Sequence, residues 1–179
     1  MEILEKRIAD TDILWIFGKI LRSFSTTKEG IGLPLGNLTS QLLVNIYMNE
    51  FDQYMKHTLK TTYYIRYADD FVVLSNDKLY LQKTYRCISR FLSGHLKLQL
   101  HPTKVSLTTY ASGVDFLGWV HFPDYRVLRT TSKKRMLRRV EEREGDEQTL
   151  QSYLGLLGHG NTYALQAQLG EVKSQFKTE

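Results

Sequence analysis

The chain has 179 residues, of which 42% are hydrophobic and 24% charged, a balance typical of a globular domain that buries a core of its own. No apolar run reaches the roughly 18 residues that span a bilayer, and the first ten residues lack the form of a signal peptide. The single cysteine, Cys87, provides no disulfide framework, and the chain is therefore expected to be cytoplasmic.

The net charge of +5 is concentrated in one segment. Residues 126–143 hold eight Lys or Arg against two acids, a net charge of +6, so the rest of the chain is close to neutral. A local excess of this kind indicates contact with a polyanion. A solvated helix face explains the charge equally well at this stage.

The first third of the chain has helical periodicity with one interruption. A short helix is predicted over 3–8 and a longer one over 13–24, with an N-cap among residues 10–12. The segment 25–37 contains three glycines and a proline and is predicted to be a loop. Another helix follows from Leu38. Its apolar face consists of Leu43, Tyr47, Phe51 and Met55.

The middle of the chain changes to the period of β-structure. Residues 63–67 alternate in character and 71–74 form an apolar run, so two short strands joined by Ala68, Asp69 and Asp70 are predicted to form a hairpin. Further predicted elements are a helix over 79–92, strands within 96–110 and 114–128, and helices over 132–143, 150–157 and 164–176. This mixture lacks βαβ regularity and ends in helices, which predicts an α+β fold with a helical appendage from residue 129.

Asp69 and Asp70 are the residues that the strand pattern does not explain. Turn aspartates usually have Gly, Asn or Pro beside them, and none is present here, although ordinary turn chemistry remains an alternative. The apolar flanks place the two carboxylates at the edge of a core. A bound Mg²⁺ would explain them, since this ion takes carboxylate oxygens together with waters and substrate phosphates. Because successive strand side chains point to opposite faces, one aspartate is expected to be the main ligand.

Five segments, in order, resemble segments of the reverse transcriptases of bacterial retroelements. The sequence YADD between apolar strands resembles their metal-binding hairpin, and Lys104 occupies the position of the lysine in the motif that follows. Primer-grip and thumb segments lie further along the chain. The matching segments are GIGLPLGNLTSQLLVNIYMNEFD at 30–52, YADD at 67–70, LKLQLHPTKV at 96–105, VDFLGW at 114–119 and SYLGLLGHGNTYAL at 152–165.

The resemblance implies an RNA-directed DNA polymerase that uses two-metal nucleotidyl transfer. Its metal would be Mg²⁺, two ions in the complete site, with Mn²⁺ as an alternative. Its partners would be an RNA template, a DNA or RNA primer, dNTPs and an accessory protein of the element, with no membrane. The implied architecture is an incomplete polymerase palm over 1–128, in which helices pack on a small antiparallel sheet, followed by a helical thumb over 129–179.

The resemblance also implies roles for individual residues. Catalysis and metal binding fall on Asp69 and Asp70. Contacts to nucleotide and template fall on Leu35, Gly36, Asn37, Ser40, Gln41, Tyr67, Ala68 and Lys104. The primer grip consists of Phe116, Leu117, Gly118 and Trp119, for which a plain core hairpin is the alternative. Contacts to the phosphates of the nucleic-acid backbone fall on Lys133, Lys134, Arg135, Arg138 and Arg139.

Two departures from the family pattern refine this expectation. Leu35 stands where most members have glutamine. This pattern resembles diversity-generating retroelements, whose enzymes copy RNA with errors at adenines; a group II intron-like enzyme is the alternative.

The aspartate strand that precedes the first helix in the family has no counterpart in residues 1–12. The resemblance therefore implies that the fingers and first catalytic strand lie upstream. The chain alone is expected to be inactive, and a non-catalytic remnant that binds primer–template is the alternative.

Overall fold

The computed structural model describes residues 1–23, 32 and 38–176. These residues form two compact units, Met1–Val105 and Ser106–Glu179. The predicted α+β class is confirmed, because helices accompany two small antiparallel sheets. The division into palm and thumb at residues 128–129 is a functional assignment and stays a prediction.

The first unit combines helices with a β-hairpin. Asp10 is the N-cap of the second helix, since its carboxylate accepts hydrogen bonds from the backbone N–H groups of Asp12 and Ile13 at 2.9 and 3.0 Å. Most of the predicted loop at 25–37 lies outside the described residues. The elements are α1 (Glu2–Glu5), α2 (Thr11–Arg22), α3 (Leu38–Gln53) with a π-helical turn (Tyr54–Thr58), β1 (Tyr63–Tyr67), β2 (Asp70–Leu74) and α4 (Lys78–His95).

The core of the first unit lies between α3, α4 and the inner face of the hairpin. Phe51 on α3 is fully buried, and its ring meets Phe71 of β2 edge-on at 5.0 Å between centroids. Burial of side chains of this size stabilises the fold by about 1.5–3 kcal/mol each. The buried members are Met48, Phe51, Met55, Ile88, Leu92 and Leu96. The apolar face predicted for the helix after Leu38 is thus confirmed.

The second unit is a three-stranded sheet covered by helices. The strands pair in the antiparallel order β3–β4–β5. The three predicted helices are present, and each begins one to three residues earlier than the periodicity indicated. The elements are β3 (Val114–Phe116), β4 (Trp119–His121), β5 (Arg126–Leu128), α5 (Thr130–Glu142), α6 (Glu147–Leu157) and α7 (Tyr163–Phe176), with a 3₁₀ turn at Tyr110–Ser112.

Trp119 is a buried member of the core of the second unit. The same cluster contains apolar side chains from β5 and from all three helices, so the sheet and the helices share a single core. The other buried members are Leu128, Met136, Val140, Leu150, Leu157 and Leu169.

One strand prediction was wrong. Residues 97–109 contain no strand; they run as irregular chain with a turn at 102–104, and Lys97 has φ of +52°. A strand requires a neighbouring edge that accepts its backbone hydrogen bonds, and residue periodicity does not report whether such an edge exists. The first helix is also shorter than predicted, at Glu2–Glu5 rather than 3–8.

Candidate active site

The hairpin formed by β1 and β2 places the two aspartates in different backbone positions. Tyr67 pairs with Asp70, so the turn consists of Ala68 and Asp69 alone. Ala68 has φ of +51°, whereas Asp69 has an ordinary negative φ. A positive φ at the first turn position only is the pattern of a II′ turn, whose twist suits a hairpin. Asp69 therefore lies at the tip, and Asp70 begins β2.

Both carboxylates are open to solvent. Tyr67, which is 64% exposed, points to the same face as its cross-strand partner Asp70. Neither aspartate forms an ion pair with any residue that the structure describes. Asp69 lies in the turn and Asp70 in the ladder, so the two carboxylates have different settings; that one of them is the main metal ligand stays a prediction.

The inner face of the hairpin carries a charged network that the sequence did not reveal. The Arg66 guanidinium binds Asp52 of α3 through two bonds, Nε to Oδ1 at 2.8 Å and Nη2 to Oδ2 at 2.6 Å. The Tyr64 hydroxyl donates to the same Oδ1 at 2.6 Å. Arg66 Nη1 donates to the carbonyl oxygen of Ala68 at 2.6 Å and to Asn45 Oδ1 at 3.3 Å.

The electrostatics of this network keep Asp52 and Arg66 ionised and the Tyr64 hydroxyl protonated. Burial alone would raise the pKa of Asp52, but hydrogen bonds from Arg66 and Tyr64, with the Arg66 charge, hold it below its usual value. The hydrogen bond to Asp52 raises the pKa of Arg66, against the opposing effect of burial. Burial, followed by the bond to Asp52, raises the pKa of Tyr64 strongly. One sequence signal could have found the network: the strand alternation places Arg66 on the buried side, where a charge needs a partner.

The hairpin offers part of a metal-ligand set. Its two carboxylates supply the oxygen donors that Mg²⁺ prefers. Among the described residues, no group of three or more His, Cys, Asp or Glu side chains could hold a metal ion. The donor chemistry fits a divalent cation whose remaining ligands are water, substrate phosphate or carboxylates outside the hairpin.

The residues predicted to contact nucleotide and template are only partly described. Leu35, Gly36 and Asn37 lie outside the described residues. Ser40 is buried in the first turn of α3, and Gln41 beside it is exposed. Asn45 is one turn further along the same helix and reaches Arg66, which places this part of α3 behind the hairpin. Lys104 is exposed in the turn at 102–104 of the same unit, where its N–H donates to the carbonyl of His101.

The predicted primer grip forms the β3–β4 hairpin of the second unit. Phe116 pairs with Trp119 across a turn of Leu117 and Gly118, both at positive φ, +53° and +83°, as in a type I′ turn. Trp119 points into the core, whereas Leu117 at the tip is 45% exposed. Packing in the core therefore explains the presence of Trp119 without any contact to a primer. Of the four residues predicted as the primer grip, Leu117 at the tip is open to solvent.

The basic segment folds mainly as α5. Met136 and Val140 face the core, while Lys134, Arg135, Arg138 and Arg139 are exposed and Lys133 is half-buried. Arg138 pairs with Glu142 at 3.4 Å, and both side chains remain well exposed. The basic side chains border an open cavity of about 390 Å³, lined by Arg135, Arg138, Arg139, Glu142 and Arg143. The positive charge is thus concentrated on one face of α5.

Comparison with known proteins gives one family and one curated relative. A family model described as reverse transcriptase (RNA-dependent DNA polymerase) matches residues 5–121. Protein YkfC of Escherichia coli (strain K12) is 26% identical over 172 aligned positions, which cover 74% of this chain and 43% of that protein. This chain thus spans less than half the length of its curated relative. In the described part of the chain, no helix has the length and apolarity to cross a membrane.

Proposed function

Because the chain belongs to the reverse transcriptase (RNA-dependent DNA polymerase) family, we propose that it carries the β1–β2 half of a nucleotidyl-transfer site for RNA-templated DNA synthesis. Asp69 and Asp70 would hold divalent metal, Mg²⁺ or alternatively Mn²⁺. When bound, such ions neutralise phosphate charge and orient the attacking and leaving oxygens. The observation that carries the proposal is the hairpin, which exposes two adjacent carboxylates at the end of a buried core, neither of them ion-paired within the described part of the chain.

The protein residues would mainly position and bind. Asp69 at the tip is proposed as the principal metal ligand, with Asp70 as a second carboxylate on the face that carries Tyr67. The exposed Tyr67 ring offers a surface for a base or sugar. Gln41, with Ser40 and Lys104, is proposed to contact template or nucleotide together with Leu35, Gly36 and Asn37. Phosphoryl transfer depends mostly on such positioning and on charge neutralisation.

The second unit would hold the primer–template. The exposed face of α5 suits backbone phosphates, a contact that is independent of base sequence and sensitive to salt. The tip of the β3–β4 hairpin, with Leu117 and Gly118, would support the primer end next to Phe116 and Trp119. We propose the helices from residue 129 onward as the thumb and residues 1–128 as part of the palm.

A retroelement of the diversity-generating type is the proposed source, and a group II intron-like enzyme is the alternative. The proposal rests on Leu35, which replaces a polar residue at the template and would hold the template base with less geometric constraint. An accessory protein of the element is part of this proposal. An error spectrum concentrated at template adenines supports it, and errors spread evenly over the four template bases contradict it.

A second candidate function is binding of primer–template without catalysis. The exposed basic face of α5 favours it. In that case the chain would bind duplex and show no synthesis in any protein that contains it.

Primer extension decides between these functions. The assay uses residues 1–179 and, in parallel, the longest open reading frame that contains them, with an RNA template and dNTPs. We expect templated extension by the longer protein, lost on chelation and restored by Mg²⁺, and none above background by residues 1–179 alone. Failure of the folded longer protein to extend any primer would contradict the polymerase proposal and leave the binding function.

A further inference from the structure

Arg66 on β1 links helix α3 to the turn of the hairpin, and all three of its guanidinium nitrogens take part. Nε and Nη2 bind the two oxygens of Asp52 on α3, and Nη1 binds the carbonyl of Ala68 in the turn. The Arg66 side chain is only 9% exposed. A planar guanidinium held at two nitrogens has a fixed direction for the third, so the position of α3 determines where the Ala68 carbonyl is held.

The carbonyl that Arg66 holds belongs to the peptide unit of Asp69. The peptide group is planar, so fixing the oxygen of Ala68 fixes the nitrogen and Cα of Asp69 in the same plane. Ala68 has φ of +51°, in the left-handed region of backbone conformation. For a residue with a Cβ this conformation costs about 1–2 kcal/mol. The charge-assisted bond from Arg66 offsets that strain at the residue immediately before Asp69.

We propose that Asp52 and Arg66 are positioning residues that hold the Ala68–Asp69 peptide in the orientation needed by a metal-binding Asp69 carboxylate. This inference rests on the proposed function of Asp69. Asp52 orients the guanidinium, Tyr64 orients Asp52 through its hydroxyl, and Arg66 transmits both constraints to the turn. In this role neither Asp52 nor Arg66 would touch the metal or the substrate.

The geometry distinguishes this role from a general contribution of positive charge. Lysine at position 66 keeps the charge but cannot bind both Asp52 oxygens and the Ala68 carbonyl at once. Arg66→Lys and Asp52→Asn should therefore weaken metal binding at the hairpin by about tenfold or more, the range seen when groups that orient metal ligands are lost.

The experiment measures Mn²⁺ affinity of the 179-residue chain by electron paramagnetic resonance, with unfolding by urea recorded for every variant. Two isosteric variants form the matched pair. Tyr64→Phe removes the hydroxyl that holds Asp52, while Tyr47→Phe removes a hydroxyl that donates to the Leu96 carbonyl in the same core and does not reach the turn. Tyr64→Phe also keeps the test decisive if Arg66→Lys does not fold. Asp69→Ala reports on the metal site itself.

The outcomes distinguish the positioning role of Asp52 and Arg66 from the metal-binding role of Asp69. We expect weaker Mn²⁺ binding in Asp69→Ala, Arg66→Lys and Tyr64→Phe, with unchanged affinity in Tyr47→Phe at a similar loss of stability. If Asp69→Ala weakens binding but Tyr64→Phe and Arg66→Lys match Tyr47→Phe, the pair is merely structural and the inference is wrong, while the proposed function stands. If Asp69→Ala leaves Mn²⁺ affinity unchanged, the metal site and the inference both fail.

Discussion

Position 160 has no room for a side chain larger than hydrogen. A Cβ at Gly160 would lie 2.2 Å from Cζ3 of the buried Trp119 ring and 3.0 Å from the carbonyl oxygen of Arg126. The ring cannot move away freely, because Trp119 is buried in the core of the second unit, and the Arg126 guanidinium lies over it at 5.2 Å from the ring centroid. Gly160→Ala should therefore lower the free energy of unfolding by about 1–3 kcal/mol, the usual cost of overpacking, as measured by urea denaturation.

Gly155→Ala is the matched control for that change. Gly155 lies inside α6, and a Cβ there would meet no atom within 4 Å. Alanine in a helix interior is favoured over glycine by roughly 0.5–1 kcal/mol, so this variant should be more stable than the parent chain. Equal effects of the two substitutions would contradict the close packing of Gly160 on Trp119.

Asp52 should make the stability of the chain depend on pH in the acid range. Its pKa is held below the ordinary value of 3.8, because the bonds from Arg66 and Tyr64 outweigh burial. An acid with a lower pKa in the folded state stabilises the fold above its unfolded pKa and loses that contribution as pH falls through the folded pKa. The free energy of unfolding should thus decline below pH 3.8, and less steeply in Asp52→Asn.

The measurement is urea unfolding at a series of acid pH values for both proteins. Asp146→Asn serves as the comparison, since the pKa of Asp146 is also lowered, chiefly by hydrogen bonds from Thr149 and Gln148 at the start of α6, with a smaller contribution from the charge of Arg143. Parallel pH profiles for the parent chain and Asp52→Asn would show that the Arg66 pair does not contribute to stability as described.

At the scale of single elements, the hairpin was predictable because its signal is local. Alternation in 63–67 and the apolar run at 71–74 indicate two strands, and a turn of two residues leaves little freedom in their register. Asp69 and Asp70 were recognisable as unusual from their immediate neighbours. The roles assigned to them, and to every other proposed site residue, await experiment.

The strand alternation indicates that Arg66 behind the hairpin needs a partner, but the identity of that partner was not predictable, because it depends on contacts between elements. Asp52 and Arg66 are 14 positions apart and meet only when α3 packs on the inner face of β1. The absence of a strand at 97–109 has the same origin, since pairing depends on a neighbouring edge rather than on the segment itself. The π-helical turn at Tyr54–Thr58 likewise has no signature in the residue pattern.

Helix α5 allows a test of the proposed phosphate-binding face. Arg135→Gln and Arg139→Gln should each weaken binding of unrelated primer–template duplexes equally, and each should reduce the slope of log affinity against log salt by about one. Arg138 is less suitable for this test because Glu142 already partners it. Binding is measured by fluorescence anisotropy across a salt series.

Lys83→Gln provides the control for that experiment. It removes one exposed positive charge from α4 in the first unit and leaves α5 unchanged. We expect a smaller change in salt slope than for either arginine. A loss of affinity that depends on the duplex sequence would mean that the α5 arginines contact bases rather than phosphates.

At the scale of the whole molecule, the family match and the compact units divide the chain at different places. The match covers residues 5–121 and so ends at the last residue of β4, whereas the second unit begins at Ser106 and includes β3 to α7. The core of that unit joins Trp119, inside the matched region, to helices beyond it. The helices after residue 129 therefore share a core with the β3–β4 hairpin, which lies inside the matched region.

Single-turnover nucleotide incorporation shows whether Asp69 is a catalytic metal ligand. The measurement compares Asp69→Ala with the parent protein in the longest reading frame that contains residues 1–179, on an RNA template with saturating Mg²⁺. We predict that incorporation falls to background while the dissociation constant for primer–template is unchanged. Incorporation at the parent rate in a folded Asp69→Ala protein would mean that the β1–β2 hairpin is not the site of catalysis.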